Sequence, residues 1–264
     1  MSAILIPVAV VAGLALLFGI GLSIASMVFH VHRDPRIDQV REVLPGANCG
    51  ACGCSGCDGY ADAIVTEGKP INLCPVGGAA VLEKLAELMG VEAVAAEGHH
   101  ARVLCQGNWQ TVDMKYKYEG IEDCASAATL LGGMSACIFG CVGLGSCKRT
   151  CRFDAIVVED GLARILPEKC TGCGACVAEC PKGIIKLLPV RTAHTVLCSN
   201  HERGAVSRKN CRTACIACGL CVKNCPVSAI RMDNSLAVID PALCTDCGKC
   251  AGVCPQKTIL AVGG

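Results

Sequence analysis

Two cysteine runs near the C-terminal end limit this chain more than any other feature. Cys215, Cys218, Cys221 and Cys225 are spaced C-x2-C-x2-C-x3-C and are followed by Pro226. Cys244, Cys247, Cys250 and Cys254 repeat that spacing before Pro255. This is the spacing of [4Fe–4S] binding runs. Three thiolates on one tight turn grip three corners of an iron–sulfur cube, and the fourth cysteine begins a segment that leads away. In paired runs the fourth cysteine ligates the other cube. The expected sets are therefore Cys215, Cys218 and Cys221 with Cys254, and Cys244, Cys247 and Cys250 with Cys225. C-x2-C pairs also suit zinc. The same four-cysteine spacing, present twice and ended by Pro each time, favours cubes.

A second pair of runs stands upstream. Cys170, Cys173, Cys176 and Cys180 precede Pro181 and are regular. Cys137, Cys141, Cys147 and Cys151 are spaced C-x3-C-x5-C-x3-C and precede Arg152, which reads as a loosened run. The crossover rule groups Cys137, Cys141 and Cys147 with Cys180, and Cys170, Cys173 and Cys176 with Cys151. Ala155–Val158 and Leu162–Ile165 flank Asp160-Gly161, a hairpin signal. Ile230–Met232 and Leu236–Ile239 repeat the layout around Asp233-Asn234. Residues 134–190 and 211–264 thus read as two copies of one ferredoxin-like unit.

A different pattern lies nearer the N-terminus. Cys49, Cys52, Cys57 and Cys74 are spaced C-x2-C-x4-C-x16-C, with Pro75 next. Glycines at 50, 53 and 56 let the backbone wrap a cluster closely. This reads as a lone [4Fe–4S] site, with zinc a stronger rival here than downstream. Short helices are expected over Arg36–Leu44 and Asp58–Thr66, and an amphipathic helix over Ala79–Met89 stopped by Gly90. Cys54 reads as a small neighbour of the ligands rather than as a ligand.

Twenty of the 25 cysteines are thereby assigned, to five [4Fe–4S] clusters. Cys105, Cys124, Cys198 and Cys211 are left, and a sixth cube on those four is the alternative to four inert buried thiols. So many thiols in metal-binding spacing imply a reducing compartment. Aromatic content is only 3%, so a conventional core is hard to build, and metal ligation supplies folding free energy in its place. The iron-free chain is expected to be largely unfolded outside its membrane segment. The net charge of +1 points to no nucleic-acid partner.

Ile4–Phe29 is an apolar run without a charge, long enough for a transmembrane helix. It lacks the positive n-region and short core of a cleaved signal peptide, so it reads as an uncleaved anchor. Gly21 and Ala25 form a small-xxx-small pair suited to another membrane helix. Arg33, Arg36 and Arg41 follow, which places the bulk of the chain on the cytoplasmic side of a single-pass anchor. In the segment 92–133, His99 and His100 read as a solvated turn and Lys115–Tyr118 as an edge strand. The stretch 191–212 carries Arg191, Arg203, Arg208, Lys209 and Arg212 against only Glu202. It reads as a solvated loop or, more sharply, as a landing patch for an acidic electron carrier.

The expected architecture is α+β. A transmembrane anchor (1–30) leads to a small helical cluster-binding domain (31–91) and a connecting segment (92–133). A ferredoxin-like module (134–190) follows, then a basic loop with a second module (191–264). No dinucleotide fingerprint, P-loop, nucleophile elbow or HExxH is present, so no catalytic residue is assigned. The chemistry left is one-electron transfer.

An N-terminal helix, the LPGANCGACGCSGC stretch opening a lone C-x2-C-x4-C-x16-C domain, and two ferredoxin units downstream together resemble one family. It is the B subunit of the Rnf complex, the ion-translocating ferredoxin:NAD oxidoreductase of bacterial membranes, in its longer form. The resemblance covers the whole chain, and the twenty assigned cysteines match its cluster positions. It implies electron receipt from soluble ferredoxin, other membrane and peripheral subunits as partners, and Na+ or H+ translocation elsewhere in the complex. An anchored polyferredoxin of a hydrogenase or dehydrogenase, and a zinc-binding scaffold, are the alternatives.

Overall fold

A computed structural model describes residues 2–28 and 34–261. Arg33 lies outside them. Helix α1 (Ser2–Val28) is exposed along its described side chains, and its window Val8–Val28 has a mean hydropathy of 2.5. A helix this apolar and this uncovered needs an apolar solvent.

The lone-cluster domain packs three helices. In α2 (Pro35–Val43), Asp34 caps the N-terminus and Ile37 and Val40 are buried. Helix α3 (Cys57–Glu67) begins at a cysteine, and α4 (Gly78–Met89) stops at left-handed Gly90, as its pattern predicts. Tyr60 and Leu85 sit at the centre with Val40 and Ile64. The Tyr60 hydroxyl donates to the Pro70 carbonyl at 2.7 Å and accepts from Leu73 N–H at 3.1 Å. That pair of bonds fixes the chain just before Cys74. Burial, first of all, pushes the Tyr60 phenol up to about 12.

Each downstream module is built from two hairpin-scale sheets and short cysteine-bearing helices. In the first module β2 (Ile156–Glu159) pairs with β3 (Leu162–Ile165) around the Asp160-Gly161 turn, both residues left-handed. Its second sheet joins β1 (His99–Val103) to β4 (Ile185–Pro189). The second module repeats this with β6 (Ile230–Asp233) on β7 (Leu236–Ile239), and β5 (His194–Val196) on β8 (Ile259–Ala261). Three sequence readings change here. His99 and His100 lie in β1 rather than in a turn, because Ala101 to Val103 alternate no further and are buried against β4. Lys115–Tyr118 is not a strand: only Met114 bridges to Ser135, while Tyr116 and Tyr118 pack beside Cys124. The basic stretch is not all loop, since it holds β5 and helix α5 (Gly204–Asn210).

The segment 92–133 therefore gives the first module a strand, and residues 194–196 give one to the second. Between them lies Arg102, only 4% exposed. Its Nη1 donates to the Ala193 carbonyl at 2.8 Å and to Thr195 Oγ1 at 3.0 Å, which joins β1 to β5. Arg152, where the other runs have Pro, donates to the Ala47 carbonyl and so ties the first module to the lone-cluster domain. Replacing Arg102 by Ala removes the cross-module clamp, and about 1.5–3 kcal/mol of stability should go with it. Faster amide exchange at 194–196 reports the loss, and unchanged exchange would contradict the clamp.

Candidate metal centres

The turns that carry the cysteines share one backbone shape. In Cys215-Ile216-Ala217-Cys218-Gly219, Ala217 and Gly219 have φ of 55° and 70°. Asp246 and Gly248 repeat this at 55° and 71°, and Gly172 and Gly174 at 70° and 78°. Left-handed residues at these two places turn the chain around the cluster space and start a short helix one residue before the next cysteine. The run that reads as loosened has the same shape, with Gly143 and Gly145 at 83° and 77°. It is therefore no longer than the others: Cys141 and Cys147 stand as far apart as Cys215 and Cys221, and Leu144 occupies the place of Cys218. A Cβ at Gly143 would strike the Gly161 carbonyl of the β2–β3 turn, so this turn is also packed tightly.

The structure brings members of the expected sets together. A cavity in the second module is lined by Cys215, Cys218, Cys221 and Cys254. Burial, then the neighbouring thiols of Cys215, Cys218 and Cys254, push the Cys221 thiol up to about 11. Cys250 is pushed up by burial with Cys244 and Cys247 beside it, and Cys225 opens toward the same core. In the first module, burial followed by the thiols of Cys170, Cys173 and Cys151 pushes Cys176 up to about 12. In the lone domain, burial raises the Cys74 thiol, and Cys49 and Cys57 stand beside it, while Cys52 lies beside Cys54. A group of buried thiols that resists ionisation this way is relieved when a metal replaces the protons.

The remaining set divides at one position. The cavity lined by Cys141, Cys147 and Cys180 takes Cys124 as its fourth thiol, not Cys137. Cys137 lines a second cavity with Cys105, Cys198 and Cys211, which Cys141 borders as well, and it packs in the core of the second module. The signal that would have found this is the equal length of the runs, with Leu144 standing where a cysteine is needed.

Hydrogen bonds to sulfur mark the same residues. Backbone N–H groups approach the sulfurs of Cys170 (from Ala101, 3.4 Å), Cys225 (from Ala229, 3.3 Å), Cys244 (from Asp246, 3.4 Å) and Cys254 (from Thr258, 3.4 Å). Such donors stabilise thiolate and tune cluster potential. Cys54 differs: Lys69 Nζ donates to its sulfur at 3.0 Å. Among the described residues no three His, Cys, Asp or Glu converge tightly enough for one ion. Three of the thiol groups instead line cavities.

Comparison with known proteins agrees with this chemistry. Residues 44–76 match the Fe-S cluster family, residues 163–186 the 4Fe-4S binding domain and residues 214–258 the 4Fe-4S dicluster domain. Over 260 residues the chain is 48% identical to the B subunit of the Na(+)-translocating ferredoxin:NAD(+) oxidoreductase complex of Acetobacterium woodii, covering 98% of this chain and 78% of that one. It is 43% identical to the B subunit of the ion-translocating oxidoreductase complex of Methanosarcina acetivorans, covering 98% of this chain and 99% of that protein. It is also 40% identical to the B subunit of the proton-translocating ferredoxin:NAD(+) oxidoreductase complex of Clostridium ljungdahlii, covering 99% and 94%. The chain belongs to the family of B subunits of ion-translocating oxidoreductase complexes. As a member of that family it is a membrane-associated iron–sulfur electron-transfer component, with other subunits as partners and [4Fe–4S] clusters as cofactors.

The Lys69 contact gives Cys54 a partner other than a metal. Cys54→Ala should leave the iron content unchanged. Loss of about four irons would make Cys54 a ligand.

Proposed function

We propose that this protein takes electrons from a reduced soluble ferredoxin on the cytoplasmic side and delivers them to membrane subunits that move Na+ or H+ and feed NAD reduction elsewhere. The likeness over almost the whole chain to two proteins named for ferredoxin:NAD oxidoreduction carries this reading. Helix α1 is its single-pass anchor. Bound [4Fe–4S] cubes supply one-electron chemistry in a span of roughly −700 to +450 mV.

The protein's own residues hold and insulate these groups. We assign Cys49, Cys52, Cys57 and Cys74 to the lone cube, and Cys151, Cys170, Cys173 and Cys176 to one cube of the first module. Cys215, Cys218, Cys221 and Cys254, with Cys225, Cys244, Cys247 and Cys250, form the pair in the second. The fifth cube rests on Cys141, Cys147 and Cys180 and a fourth thiol considered below. A cavity of about 630 Å³ is lined by Cys74 and Pro75 of the lone domain and by His100, Cys170 and Cys173 of the first module, which supports electron passage between the two.

An acidic ferredoxin would suit the exposed basic residues of 191–212 outside the Arg191 ion pair, namely Arg203, Arg208, Lys209 and Arg212 around α5. Arg191 is drawn off by its ion pair with Glu97. The patch ends beside Cys211, whose N–H donates to the Ser207 carbonyl at 2.9 Å.

Adding reduced ferredoxin to the oxidised, anaerobically purified chain should bleach its iron–sulfur absorbance while ferredoxin is reoxidised. No electron uptake would overturn the reading. Reversing charge at Arg208 and Lys209 should slow that reduction about tenfold at low salt, and less as salt rises. An equal rate at every ionic strength would remove the patch from the docking surface.

A further inference from the structure

We infer that Cys105, Cys137, Cys198 and Cys211 hold a sixth [4Fe–4S] cube where the two modules meet, and that Cys124 is the fourth ligand beside Cys141, Cys147 and Cys180. This goes beyond the five cubes of the proposed function. It also replaces the ligand sets that spacing alone gave.

The repeat itself supplies the four thiols. Cys137 stands four residues before Cys141, the first cysteine of its run, and Cys211 stands four residues before Cys215. Cys105 follows β1 in Val103-Leu104-Cys105, and Cys198 follows β5 in Val196-Leu197-Cys198. Each module therefore offers the same extra pair, one thiol after its added strand and one ahead of its run. At the junction the two pairs face each other across one cavity.

The cavity fits a thiolate-ligated group better than four inert thiols. Every one of its four sulfurs has a polar neighbour. Cys105 accepts from Gly107 N–H at 3.3 Å and from Cys141 N–H at 3.5 Å. Cys198 accepts from Asn200 N–H and from Cys215 N–H, both at 3.4 Å. The Asn200 side chain, 1% exposed, donates to Cys137 at 3.5 Å, and Thr213 Oγ1 lies 3.3 Å from Cys211 Sγ. The bond from the residue two ahead recurs at Cys244, a ligand by spacing. A neutral thiol accepts weakly, so donors gathered on sulfur suit thiolate. Among the described residues, no charged side chain lines the cavity. Glycine at 107 and 140 leaves its wall bare: a Cβ there would lie 3.5 Å from Cys211 Sγ and 3.7 Å from Cys137 Sγ.

The backbone is built to hold the two halves together. Thr111 to Asp113 threads between them, with Arg212 N–H on the Thr111 carbonyl at 2.9 Å and Ala136 N–H on the Asp113 carbonyl at 2.7 Å. Ser199 Oγ donates to the Leu104 carbonyl at 2.9 Å. Cys124 is placed as firmly at its own cavity. Its N–H donates to Ser146 Oγ at 2.8 Å, next to Cys147, and its helix packs beside Leu144.

Metal analysis of the full-length, anaerobically purified protein in detergent decides the cube without any variant. About 24 irons per chain without stoichiometric zinc is expected. About 20 irons, or one zinc per chain, would overturn it. Paired variants decide the ligands. Cys137→Ala with Cys198→Ala should cost about four irons, one cube, and Cys124→Ala with Cys198→Ala about eight, two cubes. The reverse pattern, or an equal loss from both pairs, would overturn the partition. Asn200→Leu keeps every thiol and should lower a single midpoint potential in an EPR-monitored titration, and an unmoved set of midpoints would take Cys137 off the cube.

Discussion

Cysteine sulfur, approached by backbone N–H groups, occupies the core of this chain. With 3% aromatic residues there is little large apolar surface to bury, and the cores of the modules are made of Ile, Val and Ala interleaved with cysteine. The left-handed pairs Ala217/Gly219, Asp246/Gly248 and Gly172/Gly174 turn each loop around the cluster space, and the Asp246 N–H reaches the Cys244 sulfur. Sulfur then does two jobs, ligating metal and filling the core.

That constraint explains the way the modules are completed. A ferredoxin unit made only of its two runs has one hairpin and an open edge. Here β1 and β5 cover β4 and β8, and each carries a cysteine two residues beyond its end. Arg102 crosses from β1 to the strand of the other module. A strand that closes an edge in each module thus brings a thiol to the boundary between them. The same economy appears at Arg152, which docks the lone-cluster domain from the position where proline would merely end a turn.

Much of this was readable from spacing. The regular runs, both hairpins with their turns, the stop at Gly90 and the anchor helix follow from local rules that act over a few residues. The strands β1 and β5 were not readable, because each is short and pairs with a partner far along the chain, so its stability is not local. The exchange of Cys137 for Cys124 was hidden for a related reason. Counting cysteines gave C-x3-C-x5-C-x3-C, whereas the backbone counts turns, and by turns Leu144 vacates a ligand position that a helix from elsewhere fills.

The most direct measurement is a density map of the iron-loaded protein, by electron cryo-microscopy or by anomalous diffraction at the iron edge. The account predicts compact cube density in the cavity between Cys105, Cys137, Cys198 and Cys211, and another touching Cys124, in addition to those of the regular runs. Free thiols at the junction, a single metal atom there, or density joining Cys137 to Cys141, Cys147 and Cys180 would contradict it.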